Sequence, residues 1–198
     1  MKRSAHSKSS LPKRSAGRPR SEKTRRAILK SAFRLLKKHG FADVSMQQIV
    51  TDAGVSTATL YRWWKNKREI LLEAYLEMMG DLLPSRNRFP PLRRLQEYTM
   101  RIAAFLRSEN GQVFIKLLMA IQEDRELYDT FYEKVFQPRR AEGAAVVREA
   151  VAAGDLPPTV DPDLIIDLLV GPQILRALLG KAVTSDFAAS IFEFVIRR

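Results

Sequence analysis

Apolar residues recur at spacings of three and four from Ile28 to Val195, the period of an α-helix, and the chain is predicted to be all-α. A first helix is expected over 22–39, with Ile28, Ala32, Leu35 and Leu36 as its buried stripe, widened by Leu29 and Phe33 and stopped by Gly40. Ser45 is a good N-cap, Met46, Ile49, Val50 and Ala53 follow at helical spacing, and Gly54 ends this second helix. Ser56 or Thr57 then caps a third, short helix running to Trp63, with Leu60 and Trp64 turned inward at i and i+4. A fourth begins near Lys67 and carries Leu71, Tyr75, Met78 and Leu82 before Pro84. Pro90-Pro91 closes a loop, a fifth helix follows over 92–107, and Asn110-Gly111 breaks the chain before a sixth over 112–122 that is apolar on most sides. The seventh spans 125–153 with a kink or brief interruption at Pro138, and the eighth (162–179) and ninth (186–196) are apolar on two sides.

The pair of short helices within 45–67 has the form of a helix-turn-helix, whose second helix enters the DNA major groove. Leu60 and Trp64 face inward, leaving Thr57, Thr59, Tyr61, Arg62 and Trp63 on the other faces, with Lys65 and Lys67 directly behind. A plain helical hairpin with a polar surface has the same outline, and charge is what separates the two. Residues 1–68 hold 18 Lys/Arg against 3 Asp/Glu, whereas 69–198 hold 16 against 19, within a net charge of +12. A polyanionic partner is therefore expected at the N-terminal end alone. A membrane surface would attract the same charge, but these helices lack a broad lipid-facing side, and no membrane partner is expected. Lys23, Arg26, Lys30, Arg34 and Lys37 fall on the outer face of the first helix. Residues 1–21 carry seven Lys/Arg and no acid, a composition predicted to form a disordered basic arm. Its end, Gly17-Arg18-Pro19-Arg20, resembles the core of an AT-hook: proline holds the backbone extended, and Arg18 and Arg20 enter an A·T-rich minor groove. A solvated basic tail is the other reading of the same residues.

The stretch VSMQQIVTDAGVSTATLYRWWKNKREIL resembles the DNA-binding domain of TetR-type transcriptional regulators, over about Glu22 to Leu72. Farther on, the resemblance is looser and rests on helix order and the segments QPRR, AVAAGDL and DLLVGP. Trp64 stands where the family most often has phenylalanine, and is expected to fill the same core slot. The resemblance implies a bacterial, cytoplasmic, nucleoid-associated homodimer that represses transcription from a palindromic double-stranded operator and is released by a small-molecule effector. It implies that Gln47 and Thr57 face bases and that Thr59, Tyr61, Trp63 and Lys67 face phosphates; Arg62 is grouped with the base-facing residues but suits either purpose, and Ser45 and Lys65 are expected at phosphates. The division expected is an arm at 1–21, a DNA-binding domain at 22–68, and an effector-binding and dimerisation domain at 69–198. A non-specific architectural DNA-binding protein relying on the basic arm is the alternative.

No catalytic constellation is found, and neither an enzyme nor a cofactor is expected. There is no cysteine, which excludes disulfides and thiolate chemistry, and His6 and His39 lie in no metal-binding spacing. Glu123, Asp124, Glu126 and Asp129 cluster at the start of the seventh helix, where the dipole favours acids without a metal. Leu164 to Leu179 is interrupted by Asp167, Gln173 and Arg176, a poor membrane span, and the basic first residues lack the apolar run of a secretory signal. Phe105, Phe114, Leu118, Phe131 and Leu169, with Gln122 and Gln173 as scarce polar groups, are expected to converge on a lipophilic pocket. Leu168, Leu169, Leu175, Ile191, Phe192 and Val195 are expected to form a four-helix homodimer interface, because two helices apolar on both sides need a partner.

Overall fold

The computed structural model describes residues 18–79 and 89–196, with side chains from Glu22 onward. Residues 1–17 of the predicted arm and the expected end of the fourth helix lie outside these. Among the described residues every regular element is helical: α1 (Arg18–Asp43), α2 (Met46–Ala53), α3 (Thr57–Tyr61), α4 (Lys67–Met79), α5 (Pro91–Arg107), α6 (Glu109–Ala120), α7 (Arg125–Phe131), a π-helical turn (Tyr132–Phe136), α8 (Gln137–Ala152), α9 (Pro162–Leu178) and α10 (Ser185–Ile196). None of these helices is long and apolar enough to cross a membrane.

Three boundaries differ from the sequence reading, each for a local reason. Helix α1 begins at Arg18 rather than Glu22, so Arg18, Pro19 and Arg20 are helical and not extended. Pro19 falls in the first turn, where its missing N–H has no intrahelical partner to lose. Gly40 interrupts α1 at φ 79°, and a last turn, Phe41–Asp43, follows it. Helix α6 begins at Glu109, before Asn110-Gly111, because Ser108 is the cap and its Oγ accepts the Gly111 N–H at 3.2 Å. Gly111 is needed for approach rather than for a break: a Cβ there would collide with the Phe105 carbonyl at the end of α5. The seventh predicted helix is continuous from Arg125 to Ala152, and Pro138 is accommodated by the π-turn just before it. Widening the turn spares the carbonyl four residues upstream from the proline ring.

Packing joins the two halves. One core runs without a gap from Ile28, Leu29 and Ala32 of α1 through Ile49, Leu60 and Trp64 to Leu71 and Tyr75 of α4, and on to Val113, Leu127 and Phe131. Helix α4 thus belongs to the N-terminal helix-turn-helix unit and the C-terminal bundle at once. A second core, built on Leu95, Val147, Ile166, Leu169 and Phe192, holds α5, α8, α9 and α10 together.

Candidate nucleic-acid interface and effector cavity

The helix pair α2–α3 is secured by caps at its helix ends. Ser45 Oγ accepts the Gln48 N–H at 3.2 Å while Gln48 Oε1 accepts the Ser45 N–H at 2.7 Å, a complete capping box. Gly54 closes α2 at φ 63°, and Ser56 Oγ caps α3 by accepting the Thr59 N–H at 3.2 Å. Leu60 is fully buried and Trp64 nearly so, which turns Thr57, Tyr61 and Arg62 outward together. Gln47, Ser45 and Lys65 are also exposed. Trp64 fills the expected core slot, and its additional N–H is satisfied by Glu73 Oε2 at 2.6 Å.

Three predicted phosphate-facing residues have other ties. Thr59 is half-buried, with its hydroxyl against Ser56 Oγ at 2.8 Å. Lys67 Nζ donates to the carbonyls of Ala42 (2.8 Å) and Phe41 (3.3 Å), closing the last turn of α1, and keeps one proton for an outside acceptor. Trp63 is half-buried: its indole N–H is buried with no partner among the described residues, the Arg25 guanidinium lies 6.0 Å from its ring, and it borders a hollow shared with α4. The five cations on the outer face of α1 are exposed as predicted, although Arg34 is paired with Asp52 and Lys37 with Glu109. Hydrogen bonds from Ser31 and then Arg34 hold the Asp52 carboxyl below the usual carboxylate range.

The acids expected at the start of the seventh helix serve the joint between the halves. Asp124 Oδ1 caps α7 through the Leu127 N–H at 3.1 Å, while Oδ2 accepts Arg68 Nε from the start of α4 at 2.6 Å. Glu126 takes the other side of the same guanidinium at 3.1 Å. The Arg68 hydrogen bond holds Asp124 below the usual carboxylate range.

A cavity of about 300 Å³ lies in the C-terminal bundle between α5, α6, the π-turn, α8 and α9. Phe105, Phe114 and Phe131 line it, as predicted, and the Phe105–Phe114 and Phe114–Phe131 ring centroids are 5.8 and 6.2 Å apart. Phe114 also stacks on Tyr75 of α4 at 6.0 Å. The other four pocket expectations are corrected. Leu118 packs into the core beside the cavity, Gln122 is exposed, and Leu169 is fully buried in the second core. Gln173 is fully buried and its amide donates to the carbonyls of Leu169 (2.8 Å) and Thr99 (3.3 Å), tying α9 to α5. The polar groups at the cavity are instead Tyr98, Arg139, Arg140 and Asp167. Arg140 is bound to Asp167 through two hydrogen bonds, 2.8 and 2.6 Å, and to Asp163 at 3.1 Å. Burial pushes the Tyr98 hydroxyl up to about 12, so it is a neutral donor. The adjacent arginines after Pro138 were the available signal for this edge, since the π-turn aims that segment inward.

The interface expectation divides in two. Leu168 and Leu175 are exposed, together with Leu164 on the same helix, Leu179 just past its end and Phe194 on α10. Leu169, Ile191 and Phe192 are instead core residues, and Val195 is half-buried against that core. The reason is rotation: on α9 the positions 164, 168, 171 and 175 form one stripe, and 165, 166, 169 and 173 the opposite one.

Comparison with known proteins agrees with this architecture. The family model for bacterial regulatory proteins of the tetR family matches residues 28–74, and that for a tetracyclin repressor-like C-terminal domain matches residues 92–195. The chain is 34% identical over 176 residues to the HTH-type transcriptional regulator YdeS of Bacillus subtilis, covering 88% of this chain and 89% of that one. Among solved structures, the TetR family transcription regulator SCO0332 superposes with a TM-score of 0.72 at 24% identity, covering 88% of this chain and 97% of the other. Salmonella enterica GusR superposes with a TM-score of 0.73 at 18% identity, covering 92% and 99%.

Proposed function

Since the chain belongs to the TetR family and is a DNA-binding transcriptional regulator, we propose that it acts as a homodimeric repressor, released from a palindromic operator on the bacterial chromosome by a small molecule held in the cavity. The observation that carries the DNA part is the face of α3: Thr57, Tyr61 and Arg62 are exposed on a helix whose other side is anchored by Leu60 and Trp64. In this reading Gln47, Thr57 and Arg62 reach base edges, while Ser45, Tyr61, Lys65 and the remaining proton of Lys67 position the phosphates.

Two features support the rest. The exposed apolar stripe of Leu164, Leu168, Leu175 and Leu179 suits burial against its own copy, and a two-fold pairing sets two reading helices at a fixed distance. The cavity communicates with α4 through the Phe114–Tyr75 stack, and α7 is tied to the start of α4 through Arg68 and Asp124. A ligand that moves α6 or α7 therefore moves the element that follows the reading helix.

Competition tests this reading against a non-specific architectural role. Operator binding by the full chain should survive a large excess of unrelated DNA, and an architectural protein would lose it in proportion to the competitor added.

A further inference from the structure

The cavity wall holds one polar group with nothing to bind. Tyr98 of α5 lines the cavity and is only 6% exposed, yet its hydroxyl has no hydrogen-bond partner among the described residues. The polar side-chain atoms sealed away without a partner are Trp63 Nε1 and Gln173 Oε1. The Tyr98 hydroxyl is not among them, so it is unpartnered but reachable, and the cavity is the space it borders. Its hydrogen bond is left to whatever the cavity holds. Burial keeps the group protonated, so it donates. The charged side chains at the edge are already committed. Asp167 gives both oxygens to Arg140, which also reaches Asp163 at 3.1 Å, and Arg139 is not free either. A charged head group would have to displace one of these partners or lie unpaired among apolar walls, and either is costly. A ligand that donates fares little better, because the carboxylate is filled and a phenol oxygen accepts weakly. An acceptor with no proton of its own satisfies Tyr98 and leaves nothing on the ligand unpaired. The remaining contact is apolar. Phe105, Phe114 and Phe131 follow one another with their planes tilted by 57° and 36°, an array that a further ring can join edge to face.

We propose that the cavity takes an uncharged ring compound whose single polar group is a hydrogen-bond acceptor, such as a ketone, held by the Tyr98 hydroxyl, with its ring against Phe105, Phe114 and Phe131. This rests on the effector-cavity reading above and adds the chemical class of the occupant and the residue that recognises it. Tyr98 sets specificity for the acceptor, and the Arg140–Asp167 pair closes the edge without offering a charge to the ligand.

The test is calorimetric titration of the full-length protein at neutral pH with three probes built on one ring system: 2-acetylnaphthalene, 2-naphthoate and naphthalene. The ketone and the carboxylate have nearly the same shape, so charge is what separates them. The ketone should bind at least about tenfold more tightly than the carboxylate, which has no free cation to meet. It should bind about five- to tenfold more tightly than naphthalene, the scale of one neutral hydrogen bond. Tyr98→Phe should bring the ketone down to the affinity of naphthalene and leave naphthalene unchanged. The unchanged naphthalene affinity also shows that the variant is folded with its cavity intact, and the ranking in the wild type needs no variant. A carboxylate that binds as tightly as the ketone, or a ketone preference that survives Tyr98→Phe, would overturn the assignment of a neutral acceptor and leave the effector cavity standing. Binding of none of the three would overturn both.

Discussion

Lys65 and Lys67 are two residues apart and read alike in the sequence, yet they have different work. Lys65 is exposed, whereas Lys67 already closes the carbonyls of Phe41 and Ala42. Lys65→Ala should reduce the salt slope of operator binding by about 1 and leave the melting temperature unchanged. Lys67→Ala should lower both, because two carbonyls lose their donor. Thr57→Ala should act on sequence rather than salt, relaxing preference at one position per half-site by about 1–3 kcal/mol; equal loss on every sequence would remove Thr57 from the base-facing set. Asp124 gives a pH test. Its folded-state ionisation is depressed, first by the Arg68 hydrogen bond, so its contribution is complete above the unfolded value of about 3.9 and is lost as pH falls through the lower folded value. Melting of wild type and Asp124→Asn should therefore differ at neutral pH and converge in acid. The roles of Trp64 and Ser45 were legible from spacing alone. Those of Lys67 and Trp63 were not, because each depends on residues about 25 to 40 positions away in α1.

At the scale of elements, periodicity located every described helix, since each buries one stripe on a core. It misjudged the points where two elements press together. Asn110-Gly111 reads as a break, but the cap is Ser108 and the glycine admits the α5 carbonyl of Phe105. Gly111→Ala should accordingly destabilise the protein by about 1–3 kcal/mol in urea unfolding, the cost of overpacking. In an unconstrained helix the same change stabilises by about 0.5–1 kcal/mol, so the sign alone discriminates. Pro138 reads as a kink or a brief interruption, and the chain meets it with a π-turn just before it. Phe131, Val135, Arg139 and Arg140, within that turn and on either side of it, line one cavity.

For the whole molecule, the charge asymmetry and the double-sided apolar helices were legible as a DNA-binding end and an interface-bearing end. Which leucines are covered was not, because one step around α9 exchanges the core stripe for the outer one. Leu168→Glu and Leu175→Glu should each give a folded monomer in sedimentation, with operator affinity lost along with the second half-site. Leu169→Glu should instead impair folding itself, since that side chain is wholly buried in the protomer; a stable dimer carrying glutamate at both 168 and 175 would place the interface elsewhere. The central claim is that a two-fold dimer reads a specific sequence with the exposed face of α3. Selection of bound sequences from random DNA by the full-length protein tests it most directly. The account predicts enrichment of two inverted half-sites about one helical turn, 10–10.5 base pairs, apart or a multiple of it, with one position in each half-site changed when the selection is repeated with Thr57→Ala. Enrichment of general A·T content with no half-site, identical for wild type and Thr57→Ala, would contradict it.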